Sequence, residues 1–549
     1  MEKIQTKKMW IEKYGLKKYG LKSWRERKKD KRWKGYQRER SIVCCMLLVG
    51  CSILFGGCSR EEKQVFTISM MAEYFPSYEM ADIGADSWLR SVEEETNKEL
   101  QIELVPTLEY VSTVERMIRN DRLPMVLTAN ETILAKESFL AYLRAGGFWE
   151  LDDYLDDYPQ LKAFIGEEIW ENAKMQGHIY GIPRLRIRPR YAAYYRKDWA
   201  DTLGILPPRN LEEIYQMLKA FTLNDPDGNG IADTVGMADS WRNWGAREWN
   251  GIQNITTALG GPNGWAYDAE KGQMIPDFST ETYMQTLRWF RQCYREGVLD
   301  HTFSFLTAVQ RQEMFISGQA GMIFGVIDDA PELEDRMRQI NPQAEVAILP
   351  AIEAGNGGEL RVNSSAGYNG LIMFNRFGNG GIKDETKLRE ILSFYDTLCG
   401  EKGQEILLFG REGEFHTLDE QGNKVLIYQE GNNRSLLSSA AGSYVQLMPT
   451  PPYIRTPVDS LLQREVYDCI EAREPHLVND ASYGVYSETY AALSDRLNKR
   501  IQKASIRFIM GEITESDYWN EYQIWYEEGG KAVIEEYTEG YKEKRGISE

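Results

Sequence analysis

The sequence predicts an α/β fold, because strand and helix patterns alternate through the first region after a hydrophobic leader. The elements predicted there are a strand at 65–70, a helix at 88–97, a strand at 100–105, a helix at 113–120 and a strand at 124–127. Such alternation gives right-handed crossovers and a parallel sheet. The chain of 549 residues is also too long for one hydrophobic core, which predicts two lobes or more.

Helix and strand signals continue beyond these elements. Asn210 and Glu213 have the spacing of an N-cap pair ahead of an apolar stripe, and a second stripe between Tyr283 and Tyr294 ends at Gly297. The further predicted elements are strands within 315–324, 346–350 and 364–374, a helix at 388–398, loops at 410–456, and a helical tail with one helix face at 493–508 and another helix at 516–541.

The leader has the pattern of an export signal. Many Lys and Arg precede an apolar segment that begins at Ser41 and ends in Gly56-Gly57-Cys58. This ending resembles the lipobox of bacterial lipoproteins, in which the cysteine thiol receives a diacylglycerol. We expect a signal peptide at 1–57 and a lipidated Cys58 with a tether at 58–64. Two alternatives stay open: lipidation of Cys51, which fits the pattern better but would leave an apolar mature end, and an uncleaved membrane anchor.

Charge and cysteine content argue against several classes of function. The formal net charge is −18, and the leader is basic, so the rest of the chain is strongly acidic. Nucleic acids and anionic membrane surfaces require clustered Lys and Arg, so neither is an expected partner, apart from the membrane contact of a lipid anchor. After the leader only Cys293, Cys399 and Cys469 remain, and their isolation favours neither a disulfide framework nor a zinc site.

The stretch DPDGNGIAD matches the first nine positions of an EF-hand calcium loop. Alternate residues around such a turn direct their oxygens toward one hard cation. The bidentate Glu of the last loop position is missing, because Gly236 stands there. We expect a structural calcium ion, and the alternative is an ordinary turn. The expected ligands are Asp225, Asp227, Asn229, Ile231 through its carbonyl, and Asp233.

Six short motifs follow one another along the chain: IYGIP (179–183), YYRKDWADTLGI (194–205), NDPDGNGIADTVGM (224–237), FISGQAGM (315–322), FGREGEFH (409–416) and IMGEIT…YWNEY…GG (509–530). Each is weak alone, whereas their order resembles that of family 1 extracellular solute-binding proteins, the lipoprotein receptors of ABC importers. The resemblance covers 60–549. It implies a type II periplasmic-binding-protein fold, in which two α/β lobes are joined by crossing strands and the ligand binds in the cleft between them.

The resemblance also implies domain boundaries. The first lobe is expected at 65–187 and 364–445, and the second lobe at 188–363 and 446–549 with the helical tail. The crossings are expected near 187–191 and 362–367.

Candidate ligand residues lie at strand ends and crossings, because ligands of parallel sheets bind beyond the carboxyl ends of the strands. Sugars present hydroxyl groups and C–H faces, so their sites combine planar polar groups with aromatic rings. The candidates are Tyr74, Asn130, Arg184, Trp241, Trp244, Trp249, Asp328 and Tyr368.

Purely structural roles stay open as alternatives for several of these candidates. The three tryptophans could all pack in the core, and Arg184 could form a salt bridge at the hinge. Asp328 could cap the next helix. After the strand that contains Gly321-Met322 the chain reads GVIDD (325–329), whereas the family's maltose receptors carry an aromatic residue there. The resemblance therefore does not favour maltodextrin as the ligand.

Together these features predict a monomeric receptor that captures a carbohydrate, expected to be an oligosaccharide, and delivers it to ABC permease subunits by hinge closure. No catalytic motif is recognised, and the four histidines are isolated in sequence. We therefore expect no enzymatic activity and no catalytic cofactor. The alternatives are a surface-attached glycan hydrolase or adhesin, and a receptor for peptides.

Overall fold

The computed structural model describes residues 65–74, 85–241, 251–354, 359–428, 435–455 and 460–547. Among these residues, no helix combines the length and apolar character needed to cross a membrane. The strands are β1 (Phe66–Tyr74), β2 (Lys98–Pro106), β3 (Val126–Ala129), β4 (Gly181–Leu185), β5 (Tyr191–Arg196), β6 (Val235–Ala238), β7 (Trp265–Asp268), β8 (Gln273–Pro276), β9 (Ala320–Val326), β10 (Val346–Ile348), β11 (Val362–Asn363), β12 (Tyr368–Phe374), β13 (His416–Leu418), β14 (Lys424–Leu426) and β15 (Leu477–Val478).

The α-helices pack against two larger sheets. Their bounds are Ala85–Thr96, Thr107–Arg119, Glu131–Leu134, Glu137–Arg144, Pro159–Ile165, Glu167–Asn172, Lys197–Thr202, Leu211–Leu223, Gly251–Ala258, Glu281–Arg295, Ala308–Ile316, Ala330–Ile340, Glu385–Cys399, Glu401–Phe409, Leu436–Ala441, Leu461–Arg473, Glu488–Ile509, Glu515–Trp525 and Lys531–Arg545.

The first sheet has the strand order β2-β1-β3-β12-β4. β1 pairs in parallel with β2 and β3, which confirms the predicted parallel pairing, and β12 runs antiparallel to β3 and β4. Alternate residues of β1 face opposite layers: Met70 packs in the cluster of Trp88, and Met71 packs in the cluster of Tyr110. Helices therefore cover both faces, which explains the nearly continuous apolar run of this strand.

The second sheet has the strand order β10-β5-β9-β6. β5 runs antiparallel to β9 and β10, and β6 is parallel to β9. Tyr195 and Tyr194 of β5 belong to two different hydrophobic clusters, one on each face. The larger cluster also receives Leu497 and Phe508 from the predicted helix face of the tail.

Two helix predictions are confirmed, one by its N-terminal cap and the other by its buried apolar stripe. Asn210 Oδ1 accepts a hydrogen bond from Glu213 N at 3.0 Å and caps the helix Leu211–Leu223. Tyr283 and Phe290, from the second predicted stripe, are fully buried on the helix Glu281–Arg295.

Two predicted spans are wrong in detail. The span 516–541 is broken after Trp525 by a π-helical turn, in which Gly529 has a φ of 140° that side-chain-bearing residues rarely adopt. The span predicted as loops, 410–456, contains the β13–β14 hairpin and the helix Leu436–Ala441.

The crossing segments between the two sheets are paired by their backbones. Arg186 N donates to Gly367 O at 2.8 Å, and Ser365 N donates to Arg188 O at 2.8 Å. Ser365 Oγ adds a hydrogen bond of 2.9 Å to Ile187 O. Two passages of the chain thus form a short ribbon where the sheets are connected.

Two arginines reinforce this ribbon. Arg473 is buried and donates to Tyr191 O at 3.1 Å and to Leu349 O at 2.7 Å, so it ties the start of β5 to the residue after β10. Arg188 donates to Glu168 Oε1 at 2.8 Å and to Asn479 Oδ1 at 3.1 Å. The ribbon is thereby fixed to elements that pack on either side of it.

Candidate functional site

Four candidate ligand residues lie at one edge of the first sheet, the carboxyl edge, where β1, β3 and β4 end. Tyr74 is the last residue of β1, Asn130 directly follows β3, and Arg184 lies near the end of β4. Tyr368 begins β12, whose antiparallel pairing with β3 and β4 places its first residue at the same edge. This edge therefore carries two phenol rings, an amide and a guanidinium.

Asn130 organises this edge through both ends of its amide. Nδ2 donates to Glu73 Oε1 at 2.8 Å, and Oδ1 accepts from Ile133 N at 3.0 Å, so the side chain also caps a short helix. A side chain bound at both ends has few rotamers left, so the carboxylate of Glu73 is held in a defined place.

Glu73 is a residue of this edge that the sequence analysis missed. Its side chain is 5% exposed, and Gln446 Nε2 donates to its backbone carbonyl at 2.7 Å. Burial raises the pKa of the Glu73 carboxyl, while the positive charge of Arg184 and the hydrogen bond from Asn130 oppose that rise. The available signal was an acidic residue one position before the end of an otherwise apolar strand.

The two tyrosines of the edge differ in their surroundings. Tyr368 donates from its hydroxyl to Asn172 O at 3.3 Å, and burial, followed by the negative charge of Glu131, raises its pKa to about 12. Tyr74 is half-buried, and its backbone carbonyl accepts from Thr107 Oγ1 at 2.9 Å.

The second sheet has its own carboxyl edge, where β6 and β9 end. Asp328 follows β9, and its Oδ1 lies 3.9 Å from Nη1 of Arg190 on the first crossing. The N-cap position of the helix Ala330–Ile340 belongs to Asp329, which makes no side-chain capping bond. Asp328 therefore does not occupy the N-cap position of this helix, which was the alternative considered for it.

Asp329 was also missed by the sequence analysis. Its Oδ2 accepts a hydrogen bond from Gln312 Nε2 at 3.3 Å. Burial, and then the neighbouring charge of Asp328, raise the pKa of the Asp329 carboxyl to about 6, while Arg190 lowers it. At neutral pH the Asp329 carboxyl is ionised although its buried position favours the neutral form, so its charge lowers the stability of the folded protein.

The carboxylate of Asp239 binds residues at the start of the tryptophan-rich stretch 239–249 and just after it. The buried carboxylate accepts from Ser240 N at 2.8 Å, from Trp241 Nε1 at 3.0 Å and from Gly251 N at 3.0 Å. Oδ1 also lies 3.9 Å from Nη1 of the buried Arg311. Burial raises the pKa of the Asp239 carboxyl, whereas the Arg311 charge and these hydrogen bonds lower it.

Trp241 itself lies in the core. It is 1% exposed and meets Phe290 and Phe303 edge to face, with ring centroids 5.1 and 5.8 Å away. Trp241 therefore packs in the core, as the alternative to a ligand-binding role had it. Trp244 and Trp249 lie outside the described residues.

The first crossing connects the two carboxyl edges. It leaves the first sheet at the end of β4 and enters the second at the start of β5, which lies where the antiparallel β9 ends. β10 also ends at that edge before the chain returns to β12. The two carboxyl edges thus border the same space, which we call the cleft.

The calcium-type loop forms a compact turn stabilised by its own side chains. Asn229 Nδ2 donates to Asp227 Oδ2 at 2.8 Å and to Asp233 Oδ1 at 3.2 Å, and Asn229 Oδ1 accepts from Ile231 N at 2.7 Å. Asp225 Oδ2 accepts from the N–H of Gly230 at 3.0 Å. The Asn229 amide thus stands between two of the carboxylates. Among the described residues, no group of three or more His, Cys, Asp or Glu is placed to hold a metal ion.

Two further observations bear on a cation in this loop. Asp225 Oδ1 is buried and accepts no hydrogen bond. Burial raises the pKa of Asp227, and the charges of Asp225 and Asp233 raise it further. The loop therefore holds several carboxylate oxygens close together, and hydrogen-bond donors do not balance all of their negative charge. At Gly236 a Cβ would lie 2.3 Å from Leu218 O, so the missing Glu cannot be accommodated there.

The Asp329 pKa predicts a pH-dependent effect of Asp329→Asn. The pKa of Asp329 is about 6 in the folded protein and near 4 in the unfolded chain. Protonated Asp329 therefore contributes stability to the wild type that is fully present below pH 4, and this stability is lost as the pH rises through about 6. The variant should therefore be more stable than the wild type at pH 7, by roughly 3 kcal/mol at most, and the gain should vanish near pH 4. Denaturant unfolding at several pH values measures this difference. Asp153→Asn, at an exposed position, is the control, and a gain of equal size at every pH would contradict the assignment.

Comparisons with known proteins bear on this site. No protein-family model matches the chain. The polygalacturonan/rhamnogalacturonan-binding protein YtcQ of Bacillus subtilis is 30% identical over 464 residues, which cover 84% of this chain and 89% of YtcQ. Lipoprotein LipO of the same organism is 29% identical over 519 residues, which cover 91% of this chain and 98% of LipO.

Solved structures share the fold. A human-milk-oligosaccharide (HMO)-binding, ABC-transporter-associated solute-binding protein from Bifidobacterium longum infantis has a TM-score of 0.64 and 14% identity, and the match covers 87% of this chain and 99% of that one. An EF-hand mutant of the Streptococcus pneumoniae substrate-binding protein FusA, in complex with fructo-nystose, has a TM-score of 0.60 and 15% identity over 88% of this chain and 100% of that one.

YtcQ and these two structural neighbours are binding proteins and not enzymes. The similarity to YtcQ spans nearly the full length of both chains, and the two-sheet α/β fold with a helical tail matches the solved structures. The chain thus belongs to the extracellular solute-binding proteins of ABC transporters, the family that its ordered sequence motifs predicted.

Proposed function

We propose that this protein binds an oligosaccharide in the cleft and delivers it to the permease subunits of an ABC transporter. The observation that carries the proposal is the connection of the two carboxyl edges by the crossings, with Tyr74, Asn130, Arg184 and Tyr368 on one edge and Asp328 on the other. Phenol rings suit the C–H faces of sugars, and amide, guanidinium and carboxylate groups suit their hydroxyls. The relatives' names support a carbohydrate: YtcQ is a polygalacturonan/rhamnogalacturonan-binding protein, and a FusA variant was solved with fructo-nystose.

Ligand binding is proposed to close two lobes around the ribbon. The lobes comprise 65–187 with 364–445 and 188–363 with 446–549. The separate hydrophobic clusters on the two sheets support the boundary near 187, because Leu185 packs with the first sheet and Ile187 with the second. Leu447 and Met448 also pack with the first sheet, so the first-sheet cluster extends slightly beyond 445. A ligand that contacts both edges only when they approach stabilises the closed state by its differential affinity. The protein acts as a monomer in this proposal, and the permease recognises the closed form.

The loop at 225–233 is proposed to bind a structural calcium ion. Its oxygens are of the type that calcium prefers, and the uncompensated Asp225 Oδ1 supports a cation there. Rotation of the Asn229 amide by half a turn would replace the N–H donors between Asp227 and Asp233 with an acceptor. The ion would draw the carboxylates together and remove their mutual repulsion, so its contribution is to stability.

Membrane attachment is proposed to occur through a lipid on Cys58, which places the protein on the extracytoplasmic face of the cell membrane. Cys58 lies outside the described residues, and the proposal is supported by the lipobox-like sequence and by the lipoprotein name of LipO. Cys51 is the alternative site.

Calorimetric titration tests the oligosaccharide proposal. Oligogalacturonides and fructo-oligosaccharides are the probes, with peptides of similar mass as the competing class. We expect Tyr74→Ala to weaken glycan binding roughly tenfold, because the loss of one aromatic contact is worth about 1 kcal/mol or more. Tyr486→Ala, which removes a tyrosine that is 38% exposed and belongs to neither edge, should bind normally.

Three results would contradict this function. They are binding of peptides without glycans, release of shorter products from a bound glycan, and an unchanged radius of gyration in solution scattering when saturating glycan is added. The second result would favour a hydrolase, and the third would rule out lobe closure.

Chelation tests the calcium proposal. EGTA should lower the melting temperature of the wild type, and added calcium should restore it, because the ion binds only the folded loop. Asp225→Asn should abolish this response, because the first position of the calcium loop takes Asp alone. Asp419→Asn is a matched control, since Asp419 lies in another exposed turn and accepts from Asn423 N at 2.7 Å. An unchanged melting temperature of the wild type after chelation would rule out a structural ion.

Metabolic labelling with a palmitate analogue in a bacterial host tests the anchor. Cys58→Ser should abolish labelling of the mature protein and release it from the membrane, because no acceptor thiol remains at the cleavage site. Cys51→Ser should label normally. The opposite pattern would assign the lipid to Cys51, and absence of label from the wild type would contradict the anchor.

A further inference from the structure

Phe305 lies in a segment beyond the carboxyl end of β6, the outermost strand of the second sheet. Leu299 forms a parallel bridge with β6, the outermost strand of that sheet. The segment that follows Leu299 then runs past the carboxyl end of β6. There Trp241 N donates to Phe303 O at 3.1 Å, and Ser240 Oγ donates to Leu306 O at 2.7 Å. These contacts fix the backbone on both sides of Phe305 at the carboxyl edge.

The Phe305 side chain is exposed although its neighbours are buried. Phe303 and Leu306 are 0% and 8% exposed, whereas Phe305 is 74% exposed. Phe305 N donates to Thr302 O at 2.8 Å, and both Thr302 N and Thr302 Oγ1 donate to Asp300 Oδ1, so the turn beneath the ring is also fixed.

Exposure alone would be unremarkable, because single apolar residues are common on protein surfaces. Here the exposed ring combines three properties: a fixed backbone, a position at the carboxyl edge and an apolar face of sugar-ring size. Because the backbone is already fixed, only the side-chain torsions of Phe305 remain to be ordered when a sugar stacks on the ring. The flat C–H face of a pyranose or furanose is a suitable partner for such a ring.

The position of Phe305 also bears on ligand length. The first crossing enters the sheet at β5, and β9, β6 and the Leu299 segment follow in order. Three strand spacings of about 4.8 Å place the Phe305 segment about 14 Å from the crossing. A ligand that touches both the crossing and Phe305 must therefore contain several sugar rings.

We propose that Phe305 is the stacking platform for an outer ring of the bound oligosaccharide, and that it selects for longer chains. The inference rests on the proposed oligosaccharide function and extends it to chain length. Monosaccharides and disaccharides that occupy the crossing end of the cleft do not reach this ring.

A length series tests the platform. Calorimetry would compare the wild type with Phe305→Ala and Phe305→Tyr, using oligogalacturonides and fructo-oligosaccharides of increasing length. Phe305→Ala should weaken the longest chain about tenfold and leave the shortest binding chain unchanged, whereas Phe305→Tyr should bind as the wild type does. Val309→Ala, at a residue that is also exposed, is the control and should bind normally. Melting temperatures of all variants should match, because Phe305 packs against little.

The outcomes separate this inference from the function on which it rests. Glycan binding by the wild type with no effect of Phe305→Ala at any length would overturn the platform alone. An equal loss at every length would overturn the selection for longer chains. Normal binding by Phe305→Ala combined with lost uptake in cells would make Phe305 a permease contact and overturn the platform. Absence of glycan binding by the wild type would overturn the proposed function and the platform with it.

Discussion

Backbone pairing between the two crossing segments is the constraint on which the rest of the structure depends. The hydrogen bonds from Arg186 to Gly367 and from Ser365 to Arg188 hold two distant parts of the chain side by side. They fix which edge of one sheet is connected to which edge of the other. Because both crossings join carboxyl edges, residues at strand ends in both sheets border one space. A different pairing would leave the same side chains on unrelated surfaces.

Much of the fold could be predicted from local patterns. Asn210 and Glu213 mark a helix start by spacing alone, and the parallel pairing of β1 follows from the strand–helix–strand order. These features depend on interactions between residues close together in sequence, so a short segment of the sequence is enough to predict them. The break after Trp525 was missed because Gly529 sits between two strongly helical segments, and an apolar stripe gives no information about φ at a single glycine.

The site was less predictable, because its contacts are non-local. Tyr74, Asn130 and Arg184 could be placed at an edge from strand ends, but the partnership of Asn130 with Glu73 joins residues far apart in the chain. The pKa of Asp329 depends on how deeply its turn is buried and on Asp328 beside it. Trp241 shows the converse limit. Its sequence neighbourhood resembles a binding segment, yet the buried carboxylate of Asp239 directs its ring into the core.

The carboxylate of Asp239 has a consequence for how neighbouring elements of the second sheet are held together. It accepts hydrogen bonds from Ser240 and from Gly251, the residues that flank the stretch between them. One buried carboxylate thus joins the end of β6 to the first residue of the helix Gly251–Ala258, mainly through backbone N–H groups. The distance between these two elements is therefore set by a single side chain, and the loss of that side chain would release both of them at once.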